Sequence, residues 1–181
     1  MRTRSTFPSR QASALAVLVG TRPVLEHGWL QNAERVVRTP DGRLRPRGDG
    51  VVVSACLVGA VVESGRRYAE DPGAAGPALD ALWLTLYDGR PGAGADAVGP
   101  VPSPVVRNLR ARDLARWNDE PGRTVDDVLG LLDRATSRVW DQQRTADRTA
   151  GPQPGVPGPQ TGVARAAATE RVGARSLSDR S

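Results

Sequence analysis

Between Val51 and Ser64 the chain carries one charged residue, Glu63, and is otherwise almost wholly apolar. A stretch of this kind is stable in water only when neighbouring elements cover most of its surface. The rest of the fold therefore has to wrap around it. Val53, Cys56, Leu57, Ala60, Val61 and Ser64 recur at three-and-four spacing, and Val52, Ala55, Val58, Gly59 and Val62 leave the other faces nearly as apolar. This predicts a central buried helix over residues 51–64. The Val-Val-Val opening also fits a buried strand. Gly59 suits the close approach of a neighbour, at a cost of roughly 1 kcal/mol in helix propensity relative to Ala.

Helical patterning brackets this centre. Residues 11–28 read as helix with a break or kink near Gly20 and Pro23, because proline removes a backbone donor and clashes with the preceding turn. Thr21 then caps a second short helix, Gly28 ends it, and Trp29 packs where the chain turns. The run from Ala33 to Arg38, the turn Thr39-Pro40-Asp41-Gly42 and the run from Arg43 to Arg47 read as a β-hairpin, since Pro pre-sets φ and Gly accepts positive φ. Pro46 makes its second strand short or an edge. Leu79, Leu82, Trp83 and Leu86 form a helical stripe over 78–88, with Pro77 at its first position. Residues 89–104 are rich in Gly, Pro and Ala and read as a flexible loop. A helix follows from Pro104, with Val106, Leu109, Leu114 and Trp117 partly on one side. After a turn at 118–122, Thr124-Val125-Asp126-Asp127 resembles a capping box with Asp in the place of Glu, opening a last helix that carries Val128, Leu129, Leu132, Ala135, Val139 and Trp140. Beyond Ala146 there is no aromatic residue, and Pro and Gly cluster from Gly151 to Gly162. Such a segment cannot bury enough surface to offset its ordering entropy. The expected fold is mainly α: a compact bundle of four to five helices with one inserted β-hairpin. The expected divisions are a disordered lead at 1–10, the domain at 11–142 and a disordered tail at 143–181.

Composition narrows the chemistry more than it identifies it. All 25 basic residues are Arg, and Lys and Ile are missing altogether. Their codons are AT-rich, so the bias reads first as a high-GC bacterial genome, and a net charge of +5 is compatible with anionic partners without demanding them. Without Lys there is neither a P-loop nucleotidase nor a Schiff-base enzyme. One Cys cannot form an internal disulfide, which favours a reducing, cytoplasmic setting. One Cys and one His cannot complete a four-ligand zinc site, and no cofactor is implied. Arg2, Arg4 and Arg10 ahead of Ala14–Val19 mimic a leader peptide. No small-residue cleavage site follows Val19, so the segment reads as a short lead and a first helix. The longest apolar stretches fall short of the roughly 18 residues that a membrane span needs.

Three landmarks stand in a familiar order: Gly28-Trp29, Cys56-Leu57-Val58-Gly59-Ala60, and Trp117-Asn118-Asp119-Glu120-Pro121-Gly122-Arg123-Thr124. Together they resemble a family of small bacterial and phage-associated proteins built around a domain of unknown function. Its pattern is a helix ended by GW, a variable hairpin, a C-x-x-G-A helix and a W-N-D-x-x-x-R-T turn before a closing helix. The resemblance spans about residues 11–140. It implies the domain boundaries and no activity.

Three functional expectations follow. The leading one is a non-enzymatic interaction or accessory module acting on a protein partner in a bacterium or its phage. Trp29, Cys56, Gly59, Trp117, Asn118 and Asp119 are its motif residues, of unassigned role. Asn118 and Asp119 either present polar groups to a partner or tie down a turn whose Trp117 is anchored in the core, with Arg123 pairing to Asp119 or Glu120. The second expectation is nucleic-acid binding: Arg43, Arg45 and Arg47 alternate along a strand, with Arg35 and Arg38 across the turn, and guanidinium groups suit phosphates. The third is a Cys-dependent enzyme with Cys56 as nucleophile and His27 as base. It is disfavoured because a thiol on so apolar a segment behaves as a small hydrophobe.

Overall fold

The computed structural model describes residues 10–46, 48–68, 73–87 and 101–149. The lead up to residue 9, Arg47, most of the Gly/Pro loop and the chain from residue 150 onward lie outside the described residues. The elements run α1 (Arg10–His27), β1 (Arg35–Arg38), β2 (Leu44–Arg45), β3 (Val51–Ala55), α2 (Leu57–Tyr68), α3 (Ala75–Leu86), α4 (Pro104–Asn118) and α5 (Val125–Thr149). This is the expected mainly helical class: among the described residues, five helices with a small antiparallel sheet.

α1 is the hub, packing on α2, α3, α5 and β3. It is one unbroken helix rather than two. Ala14, Val17, Leu18, Thr21, Val24 and Leu25 are buried along it, so the apolar face continues across Pro23. The carbonyl that Pro23 leaves without a partner belongs to Val19, an exposed residue. Thr21 caps nothing: its hydroxyl donates to the Val17 carbonyl one turn back, at 2.7 Å. The Ser64 hydroxyl donates to the same oxygen at 2.9 Å, which ties α2 to α1.

The helix expected over 51–64 divides in two. Val51–Ala55 is strand β3, and α2 begins at Leu57. The sheet order is β2-β1-β3, all antiparallel. Val36 faces Ser54 and Val37 faces Val52, leaving Val53 as the extra residue of a bulge. Beyond β3, Trp29 forms a parallel bridge to Ala55. The Ala55 N–H donates to the Gly28 carbonyl (2.8 Å) and the Leu30 N–H to the Ala55 carbonyl (3.2 Å). The end of α1 is thereby stitched to the start of α2.

α3 starts at Ala75, placing Pro77 third rather than first. It ends at Leu86, and the Tyr87 N–H donates back to the Trp83 carbonyl. α5 continues to Thr149, seven residues past the expected boundary at 142. Leu18, Leu25, Leu57, Val61, Leu82, Leu114, Leu131 and Leu132 fill one core shared by all five helices.

Candidate functional site

α4 ends in the sequence Trp117-Asn118-Asp119, and this end organises the three landmark segments. Asn118 is fully buried. Its Oδ1 accepts from the Trp29 indole N–H at 2.8 Å and from the Leu57 backbone N–H at 3.1 Å. Its Nδ2 donates to the Leu30 carbonyl at 3.2 Å and to Asp119 Oδ1 at 2.8 Å. One amide thus satisfies polar groups of the GW segment, the first residue of α2 and its own turn. Trp29, Leu30 and Leu57 are 61–89 residues away, so besides its bond to the adjacent Asp119 the amide closes tertiary structure. Gln31 Nε2 donates to the carbonyls of Asn118 (2.8 Å) and Glu120 (3.0 Å). The Asn32 N–H donates to Asp119 Oδ1 at 2.9 Å, with Asn32 held at φ 60°, a left-handed conformation that Asn tolerates better than most residues. Trp117 is half-buried, its ring covered by the Arg123 guanidinium at 4.1 Å. Arg123 also donates to the Trp117 carbonyl and pairs with Glu120.

Gly59 makes this junction compact. The Cys56 N–H donates to the Glu34 carbonyl at 3.0 Å, and a Cβ on Gly59 would overlap that same carbonyl oxygen. Residues 32–34 therefore lie directly on the first turn of α2. Between them and α4 runs a cleft of about 630 Å³. Its lining draws Asn32 and Glu34 from the segment after α1, Cys56 and Val58 from the start of α2, and Asn108, Arg112 and Asp119 from α4 and its end.

Cys56 is 5% exposed. Burial raises its thiol pKa above the ordinary 9.0, and the Asp119 and Glu34 carboxylates push the same way; the Gly59 and Val58 N–H groups only partly oppose them. The thiol is thus protonated at neutral pH. His27 is exposed at the end of α1 and is not among the cleft-lining residues. Among the described residues, no three His, Cys, Asp or Glu side chains converge as metal ligands.

Among the described residues, the hairpin's arginines do not all share one face. Val37 pairs with Arg45 and Arg38 with Leu44, so Arg45 projects with Val37 on one face and Arg38 on the other. Arg35 is largely covered and lies 3.6 Å from Glu63 of α2. Arg43 lies 3.4 Å from Asp41 within the turn. Arg47 lies outside the described residues.

A second polar cluster has no counterpart in the sequence reading. Asp80 of α3, buried, receives Arg10 Nη2 at 3.0 Å and Arg107 Nε at 3.3 Å on Oδ2, and Arg110 Nη1 at 2.8 Å on Oδ1. Arg110 also lies over the Trp83 ring at 4.7 Å, while the Trp83 indole N–H donates to Asp113. The signal available in the sequence was Asp80 itself, the one charged residue of α3.

Fold and junction together define a small, mainly helical domain in which a buried Asn locks a three-stranded sheet to the helices. The chain belongs to DUF6197, a family of unknown function, whose model matches residues 9–138. That span contains all three landmark segments. No curated protein and no solved structure matches the chain.

Proposed function

We propose that the chain is a non-enzymatic interaction module that takes a polar segment of a partner protein into the cleft between α4 and residues 32–34. The observation behind this reading is the way the cleft wall is held. Asp119 grips the Asn32 backbone, and Asn118 fixes the segment before it, so the wall is ordered before any ligand arrives and little ordering entropy remains to be lost on binding. The lining suits a peptide. Asn32 and Asn108 carry amides that both donate and accept, Glu34 and Asp119 are acceptors, and Arg112 is an exposed donor. A protonated, nearly covered thiol among the lining residues favours recognition over covalent catalysis.

The test is quantitative affinity capture from a native host with three baits: the unaltered chain, an Asn108→Trp/Arg112→Glu variant that obstructs the cleft, and an Arg38→Ala/Arg45→Ala variant of the hairpin. The altered residues are all exposed, so all three baits should fold alike. Proteins lost with the cleft variant and retained with the hairpin variant support the proposal. Identical capture by the native and cleft baits overturns it. Thiol titration of the native chain bears on the enzymatic alternative: rapid labelling of Cys56 without unfolding would revive it.

A further inference from the structure

We infer that Arg10, Arg107 and Arg110 form the wall of an oxyanion site, selective for a phosphate group, at the pole of the domain where α1, α3 and α4 begin. It lies on a different face of α4 from the cleft, and its test is independent of that reading.

Charge is the first argument. Three guanidinium groups, each permanently protonated, converge on the single carboxylate of Asp80. Among the described residues Asp80 is their only ion-pair partner, so within those residues the cluster of three Arg and one Asp carries a net charge of +2. Burial makes this costly: the side chains of Arg107 and Arg110 are 27% and 18% exposed, and Asp80 is 9%. Arginines assembled only to satisfy one Asp would not need to number three, since two already pair both of its oxygens.

Hydrogen-bonding capacity is the second. A guanidinium has five N–H donors, and each of these three spends one on Asp80. Arg10 is 40% exposed, so its remaining donors face a route from solvent. The fork geometry matches phosphate oxygens better than a lone carboxylate can use it.

Pre-organisation is the third. Arg110 is held against Trp83. Arg107 lies flat on the backbone of Gly76, where a Cβ would come within 2.9 Å of its Cζ and Nη1. That contact also brings the first turn of α3 to the first turn of α4, and Arg10 opens α1 itself. None of the three helices has an acidic residue in its first turn, so their positive dipole ends add to the guanidinium field.

The probes are inorganic phosphate and adenosine monophosphate, each compared with chloride at matched ionic strength, using the full chain and its thermal midpoint. Binding to the folded state alone raises the midpoint, and 10 mM inorganic phosphate should raise it by about 3 °C over chloride. The Arg10→Gln/Arg107→Gln variant should lose that increment. Asp80→Asn separates a ligand site from a structural clamp. Removing the carboxylate lowers the midpoint in chloride, and phosphate, taking its place among the arginines, should restore more than twice the increment seen in the native chain. A larger shift with adenosine monophosphate than with inorganic phosphate identifies an ester as the source of the group, and equal shifts identify the free ion. Equal midpoints in phosphate and chloride for both the native chain and Asp80→Asn overturn the site. So does a phosphate increment that survives in Arg10→Gln/Arg107→Gln.

Discussion

At Asn118 one side chain does the work of a small hydrogen-bond network. Truncating it to Ala leaves the Trp29 indole N–H, the Leu57 N–H and the Leu30 carbonyl without their partner in a buried place. Each unsatisfied group costs about 1–3 kcal/mol, offset wherever water enters the vacancy. Asn118→Ala should therefore cost roughly 3 kcal/mol, read as a lower urea midpoint with unchanged slope. Gly59 makes a complementary case. Ala is the better helix former by about 1 kcal/mol, yet its Cβ would strike the Glu34 carbonyl, and relieving overpacking costs about 1–3 kcal/mol. Gly59→Ala should destabilise the chain despite its propensity gain, and a urea midpoint at or above the native one would show that residues 32–34 yield freely. Both positions stand out in the sequence as motif residues. Their physical role does not, because it depends on Leu30, Glu34 and Leu57 arriving from elsewhere in the chain. Asp80 is the opposite case: its partners Arg10, Arg107 and Arg110 are 70, 27 and 30 residues away, and nothing local distinguishes those three from the other arginines.

The elements that the sequence made legible are those with one wet face. The stripe of α3, the Pro-Asp-Gly hairpin and the capping box of α5 each show a period or a turn signal, and each appears. Residues 51–64 left helix and strand both open because every face is apolar, and their Val-Val-Val opening takes the strand alternative. Periodicity distinguishes helix from strand only where polar residues mark the unburied side, and here the decision belonged to β1 and Gly28, whose backbone groups need Val51–Ala55 as a partner. Pro23 misled, since a local penalty of about 3 kcal/mol was outweighed by a buried face that continues on both sides of it. The start of α5 supports a prediction at this scale. The Asp127 N–H donates to Thr124 Oγ1 (3.2 Å), and Asp127 Oδ2 accepts from the Thr124 N–H (2.9 Å). Thr124→Ala should cost about 1 kcal/mol at neutral pH. The Asp127 carboxyl sits below its ordinary 3.8, chiefly because the Thr124 backbone N–H donates to it and next because the Thr124 hydroxyl does. A folded pKa below the unfolded one stabilises the fold fully above the unfolded value, and that contribution is lost as pH falls through the folded value. The difference between the native chain and Thr124→Ala should accordingly be smaller at pH 2.5 than at pH 7 in urea titrations.

For the whole molecule, the distribution of apolar side chains sets residues 14–139 apart from the sequence beyond Thr149. Every buried hydrophobic residue described falls between Ala14 and Val139, and all four Trp lie between Trp29 and Trp140. From residue 150 onward the large apolar side chains are Val156, Val163, Val172 and Leu177, against four Arg, Glu170 and Asp179. Removing that segment takes away two of the five net positive charges and no described core residue. Ending the chain after Thr149 should leave the thermal midpoint within about 2 °C of the full-length value, because a shift of that size in a domain this large corresponds to no more than about 1 kcal/mol. A fall of more than about 5 °C would place part of the stabilising contact in the removed segment. The same truncation sharpens both binding proposals. Among the described residues, the cleft between α4 and residues 32–34 and the arginines at the helix starts are built from positions between Arg10 and Asp119. The shortened chain should therefore keep the phosphate increment and the cleft-dependent capture in full, and loss of either would assign that activity to the removed segment instead of the domain.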